Sequence, residues 1–451
     1  MDLEGIDVLV LGLGMSGQSA ARFCGERGAR VVVADERPAS AIEGLEALRG
    51  APGVREVIVG AAFPDPADFD LTVPSPGVPE ARYRARARAA WGDIELTGRA
   101  LQIPIVAVTG TNGKSTTVRL VEAMLRAAGL RARAAGNVGV PALSLVGQAL
   151  DVAVLEVSSF QLEATESFRP HVAVVLNLTP DHLDRHGDLA GYAVAKRRLL
   201  AHQRDGDVAV LSFDDPIVRD FESHTQAEIV PFSLRGPIAD GRYRRAAWLD
   251  GGRAVLREEG SLRRVDLSSM PLRGLHNLEN ALAALTAAWV SGADPDLAVR
   301  GLIDFRGLPH RCELVAVVGG VSWIDDSKAT NPGAAMRSLA GMRGGVVWIA
   351  GGRDKGLSYD ELADVASQHV RQAVLIGEAA PQLEAALAGR VACEKSGTLD
   401  EAVRFAAKSA RPGDVVLLAP ACSSFDQFKN FEERGARFHE AVMRLEGATP
   451  K

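Results

Sequence analysis

Cysteine is scarce and scattered in this sequence. The four thiols, Cys24, Cys312, Cys393 and Cys422, form no CxxC pair, so neither a zinc ribbon nor a disulfide framework is indicated and a reducing cytosol is the natural setting. Long apolar runs are absent too. No segment reaches the roughly 18 uninterrupted apolar residues of a membrane span, and the acidic N-terminus lacks the basic region and apolar stretch of an export signal. A cytoplasmic protein with no membrane partner is expected. Nor is there a surplus of one charge: 51 Lys+Arg face 57 Asp+Glu, for a net charge of -6, which creates no field to gather nucleic acid. No repeat of about 20 to 50 residues suggests a solenoid.

Lysine is the most informative shortage. Only eight of the 51 basic residues are lysines, and none precedes Lys114. Arginine carries the surface charge, so a position that keeps lysine marks a need for a compact amine or a pKa that can shift. Lys114, Lys196, Lys328, Lys355 and Lys429 all fall within the motifs below.

What is present is ordinary globular material, 47% hydrophobic and 24% charged, and 451 residues imply about three domains. Ile6 to Leu11 reads as a strand, followed by a glycine turn, a helix through Arg27 and a strand from Arg30 to Ala34, a βαβ opening. Leu71 to Pro79 reads as a loop after a further strand. Arg82, Arg84, Arg86 and Arg88 have period two within an expected helix, so they line no single face and read as solvated surface. Further strands are expected at Ile103 to Val108, Val152 to Leu155 and Val172 to Leu176, in a parallel sheet. Short alternating runs from Ser233 to Leu267 suggest a small antiparallel patch. A helix from Leu278 to Val290 precedes a third α/β series, with strands near Leu314, Val346 to Ala350, Ala373 to Ile376 and Val415 to Leu418. The expected fold is α/β with three domains. Residues 1–92 form a Rossmann-like domain, 93–306 a central P-loop ATPase-type domain carrying the antiparallel patch, and 307–451 a second Rossmann-like domain.

Gly12-Leu13-Gly14-Met15-Ser16-Gly17 follows a strand and opens a helix, so backbone amides can meet a diphosphate. Asp35, ending the next strand, could take ribose or base groups. Alone, this pattern also suits an NAD-dependent dehydrogenase or a turn needed only for packing. Thr109-Gly110-Thr111-Asn112-Gly113-Lys114-Ser115-Thr116 is a stronger signal. Val108 stands where a Walker motif has its first glycine, yet amides can still cradle phosphates, Lys114 can neutralise one, and Ser115 or Thr116 can ligate Mg2+. Glu156, at the end of a strand, reads as a metal ligand or as a helix-capping carboxylate. Asp181-His182-Leu183-Asp184-Arg185-His186 supplies imidazole and carboxylate at one sheet end.

These motifs, with Gly136-Asn137-Val138-Gly139, Glu156 to Leu162 and His276-Asn277-Leu278-Glu279-Asn280, resemble the Mur ligases of peptidoglycan synthesis in order and spacing, over essentially the whole chain. Folylpolyglutamate synthases share part of the set. Asp325-Asp326-Ser327-Lys328-Ala329-Thr330-Asn331 and the run Pro420 to Glu432 are similar to the D-glutamate-adding branch, whose relatives carry tyrosine-containing motifs instead.

The resemblance implies that the first glycine loop holds the uridine diphosphate of UDP-N-acetylmuramoyl-L-alanine, through Gly14, Met15, Ser16, Asp35, Glu36 and Gly77, with Asn137 and Ser158 continuing toward the alanine. Glu36 departs from a common threonine, and Arg353 from an aspartate, so the roles of both stay open. For ATP it implies Gly110, Thr111, Asn112, Gly113, Lys114, Ser115, Thr116, Asn277, Asn280, Arg311 and Asp326. Two Mg2+ ions are implied, one on Ser115 and Glu156 and one on His182 and Lys196, the latter carbamylated. For D-glutamate it implies Thr330, Lys355, Ser424 and Phe431. Lys114, Glu156, His182, Lys196 and Lys328 form the catalytic set. The implied enzyme is a monomer that makes an acyl phosphate with ATP and then an amide, and its third domain is expected to rotate onto the centre. A different amino-acid-adding ligase, a dehydrogenase and a non-catalytic nucleotide-binding module are the rival readings.

Overall fold

The computed structural model describes residues 1–450 apart from 138, 269, 272, 273, 304, 306 and 343. Val138 of the Gly136 motif and the expected boundary at Arg306 therefore lie outside the described residues. The chain divides into two compact units, Met1–Leu178 with Arg185–Met270 and Glu279–Phe305, and Thr179–Asp184 with Pro271–Leu278 and Arg306–Lys451.

The first unit contains two sheets. In the first, β1 (Asp7–Leu11), β2 (Arg30–Asp35), β3 (Val54–Val59) and β4 (Leu71–Pro74) lie in the order β3-β2-β1-β4, all parallel. Strand order reverses between β1 and β4, so the loops that follow these two strands flank a topological switch point, where ligands collect in open α/β sheets. Leu71 to Pro74 is thus a strand and not the expected loop. Its proline ends an edge strand, a position that needs no further ladder donor.

The second sheet has nine strands. They are β5 (Ile105–Thr109), β6 (Ala132–Gly136), β7 (Val152–Glu156), β8 (Val172–Val175), β9 (Val208–Ser212), β10 (Glu228–Ser233), β11 (Arg245–Asp250), β12 (Arg253–Glu258) and β13 (Ser261–Asp266), in the order β13-β12-β11-β10-β9-β8-β5-β7-β6. Every residue of β5, β7, β8 and β9 is buried, as a parallel sheet covered on both faces requires. The antiparallel patch is β11 to β13, and it continues this sheet through a parallel β10–β11 contact.

The expected helix over residues 82–88 does not form. A short 3-10 turn, Glu80–Arg82, leads into turns instead, because each arginine is held by a distant carboxylate or carbonyl: Arg82 by Glu36, Arg86 by Asp65, Arg88 by Asp70, and Arg84 by Glu80 and the Glu163 carbonyl. Tertiary ion pairs have overridden local propensity.

The second unit holds one seven-stranded sheet: β14 (Glu313–Val318), β15 (Val321–Asp325), β16 (Val346–Gly351), β17 (Val370–Ile376), β18 (Ala392–Gly397), β19 (Val415–Leu418) and β20 (Thr449–Pro450), in the order β18-β17-β16-β19-β15-β14-β20. The pairs that involve β14 are antiparallel and the others parallel. Among the described residues no helix is long and apolar enough to cross a membrane.

The helix Asp93–Ala100 ties the two sheets of the first unit together. Buried Asp93 accepts Ser16 Oγ at 2.9 Å and Gln161 Nε2 at 3.0 Å. Glu95, 0% exposed, accepts the backbone N–H groups of Glu166, Ser167 and Phe168, the Ser167 hydroxyl and Arg99 Nε. Burial pushes its pKa up, but the hydrogen bonds and Arg99 outweigh that and hold it below its ordinary 4.5. A depressed carboxylate stabilises fully above its unfolded pKa, and that contribution is lost as pH falls through the folded value. Glu95→Gln should therefore cost about 3 kcal/mol at neutral pH and flatten the loss of stability below the ordinary glutamate pKa, measured by urea unfolding across that range.

Candidate active site

The loop after β5 has the geometry of a phosphate cradle. Gly110 (φ 147°) and Gly113 (φ 87°) occupy backbone conformations that favour glycine, and a Cβ on Gly113 would lie 2.2 Å from Asn280 Oδ1. The helix Lys114–Ala127 begins immediately afterwards, aiming its first free amides into the loop. Asn177, beyond β8, clamps the loop: its carbonyl accepts Thr111 N at 2.8 Å and its Oδ1 accepts Asn112 N at 2.9 Å. The sequence reading gave Asn177 no role, although its position past a strand beside the loop was visible.

Register brings a carboxylate to this loop. Glu156 pairs with Val108 of β5 on one side and Gly136 of β6 on the other. It is 2% exposed; Oε1 accepts Asn137 Nδ2 at 2.8 Å, and Oε2 has no hydrogen-bond partner among the described residues. The following helix is capped by Ser158, not by Glu156, so the capping reading fails. A buried carboxylate oxygen left unpaired beside a phosphate cradle, with the Ser115 hydroxyl on the adjoining helix, fits a hard divalent cation.

Two amines meet here. Lys114 Nζ donates to the carbonyls of Gly110 (3.0 Å) and Thr111 (2.9 Å), and Lys196 Nζ donates to the same Gly110 carbonyl at 2.8 Å and to Thr109 Oγ1 at 3.4 Å. Lys196 is 1% exposed and packs on the Tyr192 ring. It lies on the helix Leu189–Arg197, as expected.

Around the first glycine loop, Gly12 has φ 83°, and a Cβ on Gly17 would lie 1.9 Å from the Gly12 carbonyl. The two glycines thus let the helix Met15–Gly25 press on the turn. Asp35 is engaged locally, accepting Leu13 N at 2.7 Å and pairing with Arg37, while Glu36 pairs with Arg82. Gly14 and Gly77 have open space where a Cβ would be.

The second unit gathers Asp181, His182, Asn277, Arg311, Asp326, Lys328, Thr330, Lys355, Ser424 and Phe431. Buried Asp181 accepts Lys355 Nζ and Asn331 Nδ2, each at 3.0 Å. His182 adopts φ 54° with its imidazole 3.6 Å from Asp181. Asp326 accepts Cys312 N and the Ser338 hydroxyl, and burial raises its pKa to about 6. Lys328 Nζ sits 3.6 Å over the Phe431 ring. Asn280, in the first unit, is buried against Thr117 rather than being a surface amide.

Residues 6–98 match the MurD-like N-terminal domain of Mur ligases, 108–288 the Mur ligase middle domain, and 310–422 the Mur ligase glutamate ligase domain. Curated relatives named UDP-N-acetylmuramoylalanine--D-glutamate ligase, from Geotalea daltonii and Geobacter metallireducens, are 41% and 42% identical, each alignment covering 99% of both chains. The chain belongs to the Mur ligase family. Each segment falls on one of the three sheets, although the start of β5 and all of β20 lie outside the matched residues. Solved structures share the fold: a pseudomurein peptide ligase type C from Methanothermus fervidus (TM-score 0.63, 19% identity, 98% and 100% of the two chains covered) and MurF ligase from Thermotoga maritima in complex with ADP (TM-score 0.62, 19% identity, 98% and 96% covered).

One organising residue of this Mur ligase escaped the sequence reading. Arg434, 1% exposed, donates to the Ser327 hydroxyl and carbonyl and to the carbonyls of Cys422 and Ser423. It thereby fastens the loop that carries Lys328 to the loop that carries Ser424. Burial lowers its pKa to about 10, so it remains charged at neutral pH. Arg434→Met should cost about 3 kcal/mol, because the carbonyls it serves stay buried without donors. Arg434→Lys should recover less than half of that, since an ammonium cannot span the fork. Denaturant midpoints of the three proteins test this.

Proposed function

We propose that this chain is a cytoplasmic, ATP-dependent ligase that joins D-glutamate to the alanyl carboxylate of UDP-N-acetylmuramoyl-L-alanine, releasing ADP and phosphate for peptidoglycan precursor synthesis. The carrying observation is its identity of about 41% over 99% of the chain to curated enzymes of that name. The phosphate cradle with an unpaired buried Glu156 supports the ATP-dependent half. A monomer is proposed, with residues 1–92 taking the uridine diphosphate, 93–306 ATP and 307–451 the amino acid.

A carboxylate does not acylate an amine at neutral pH, because oxide is its leaving group. The alanyl carboxylate therefore attacks the γ-phosphate, forming the acyl phosphate and ADP. The D-glutamate amine then adds to the acyl carbon, and the tetrahedral intermediate expels phosphate. Lys114 turns from its loop carbonyls to the phosphates, and the loop amides hold them in line. Gly110 to Thr116, Asn277, Asn280, Arg311 and Asp326 bind ATP. Gly14, Met15, Ser16, Asp35, Glu36, Gly77, Asn137 and Ser158 hold the muramoyl nucleotide, with Asp93 fixing Ser16. Thr330, Lys355, Ser424 and Phe431 take D-glutamate, and Lys328 steadies developing negative charge. Lys355 spends one of its three donors on Asp181, which leaves others for a substrate carboxylate.

Mg2+, held by Ser115 and Glu156, with His182 and Lys196 for a second ion, would screen the phosphate charge. Lys196 is proposed to act as a carbamate. Its neutral amine adds to CO2 with loss of a proton, turning a cation into an anionic oxygen ligand. The support is electrostatic: two ammonium groups sharing the Gly110 carbonyl repel each other, and carbamylation removes that repulsion.

An amino-acid panel with UDP-N-acetylmuramoyl-L-alanine and ATP should give phosphate release with D-glutamate alone. Release with L-alanine or a diamino acid instead would assign a different Mur ligase activity. Lys196→Arg, which keeps the charge but cannot carbamylate, should lose about 100-fold or more in kcat, while Lys196→Ala should regain turnover with added short carboxylates. Wild-type turnover of Lys196→Arg in CO2-depleted buffer would refute the carbamate.

A further inference from the structure

Next in the chain to Arg311 and Asp326, but made of residues given no role above, two imidazoles and two carboxylates come together in the second unit. His310 lies in the turn before β14, Glu313 begins β14, Asp325 ends β15, and His439 is on the helix Phe431–Met443. One ligand atom from each lies within 4.8 Å of all the others. His310 Nδ1 is 2.7 Å from Asp325 Oδ2; His439 Nε2 is 3.0 Å from the same oxygen and 3.7 Å from Glu313 Oε2. Tetrahedral zinc with bonds of about 2.0 to 2.1 Å separates neighbouring donors by about 3.3 Å, and these distances straddle that spacing.

Three further observations favour convergence on an ion over simple hydrogen bonding. His439 Nε2 is buried and, despite its 3.0 Å approach to Asp325, makes no hydrogen bond of acceptable direction. Two carboxylates are already oriented: Asp325 turns Oδ1 outward to accept Ser327 N at 2.8 Å, the kind of support that fixes metal ligands, and Glu313 Oε2, the oxygen that faces His439, also accepts His310 N at 2.9 Å. Space for the His310 ring is provided by Gly435, where a Cβ would lie 2.1 Å from Nδ1.

We propose that His310, Glu313, Asp325 and His439 form a binding site for a borderline divalent cation, zinc first, that clamps the Phe431–Met443 helix to the ends of β14 and β15. Two imidazole nitrogens and two carboxylate oxygens suit zinc and are too nitrogen-rich for Mg2+. The ion acts as a structural clamp. Asp325 leads directly into the Ser327–Lys328 loop, and the clamped helix carries Arg434, so occupancy stiffens the scaffold of that loop without joining the ligase chemistry.

The test uses the full chain, stripped with chelator, dialysed, given zinc chloride with excess Mg2+ and no nucleotide, and passed through gel filtration. Wild type and Glu156→Gln should each retain one zinc per chain, and His439→Ala and His310→Ala should retain none. Cobalt chloride should give wild type the intense visible absorption of a tetrahedral ion, and zinc should raise the Tm of wild type but not of His439→Ala. His439 is on a partly exposed helix face, so its variant reads out even if His310→Ala fails to fold. If neither histidine variant folds, wild-type stoichiometry and the cobalt spectrum decide. A wild type that retains no zinc, a His439→Ala that retains as much as wild type, or an octahedral cobalt spectrum would reduce the cluster to a hydrogen-bonded His–Asp–His triad and overturn the proposal.

Discussion

A carboxylate sealed at the end of a strand with one oxygen unpaired is the constraint around which the central sheet is arranged. Glu156 is held between β5 and β6, so its side chain cannot retreat to water, and Asn137 satisfies only one of its oxygens. Leaving such an oxygen without a donor costs about 1 to 3 kcal/mol, and more when it is charged. Lys114 and Lys196 donate to backbone carbonyls of the phosphate loop, and Glu156 Oε2 has no hydrogen-bond partner among the described residues. That arrangement is unfavourable in isolation and favourable once a cation and phosphates enter, the signature of a site whose stability is deferred to its ligands.

The second unit solves the opposite problem, with a buried positive charge that, among the described residues, is hydrogen-bonded to no carboxylate. Arg434 is surrounded by carbonyl oxygens of the two loops it joins. Loops seldom run through a core, because their backbone polar groups need partners there. A planar guanidinium with five donors can serve several carbonyls at once, which lets both loops pack against the sheet and hold Lys328 and Ser424 on a rigid base. Asp93 and Glu95 do comparable work in the first unit, where one short helix with two buried carboxylates anchors both the turn carrying Ser16 and the segment around Ser167.

The strands, both glycine loops, the strand-terminal position of Glu156 and the helix of Lys196 were legible because each follows from local pattern: apolar runs of strand length, glycines where φ is positive, polar groups at a sheet's carboxyl edge. Two local readings failed for non-local reasons. The alanine- and arginine-rich stretch from Ala81 to Ala90 has high helix propensity, yet four arginines captured by Glu36, Asp65, Asp70 and Glu163 draw it into turns. Pro74 and Pro76 hid a strand that tolerates a terminal proline only because it lies at a sheet edge. Arg434 and the pairing of His310 and Glu313 with Asp325 and His439 carried no spacing signal, since these partners are distant in sequence and only the topology of the sheet unites them.

The shortage of lysine gains a structural meaning here. Lys196 fits wholly inside the protein with its amine on the Gly110 carbonyl and the Thr109 hydroxyl and its stem along Tyr192; a guanidinium would have to place a planar fork of five donors in the same space. Lys114 folds back on two carbonyls of its own loop, and Lys355 is held by one carboxylate oxygen. Lys328 stacks over one ring. Each carries a compact ammonium that rotation about the side chain can redirect, whereas Arg434 is fixed by several carbonyls at once. Under the proposed function, Lys114 and Lys355 stand where a charge is turned toward a substrate, and Arg434 where a charge stays in place. The scarcity of lysine and the permanence of Arg434 are two consequences of the same difference in donor geometry.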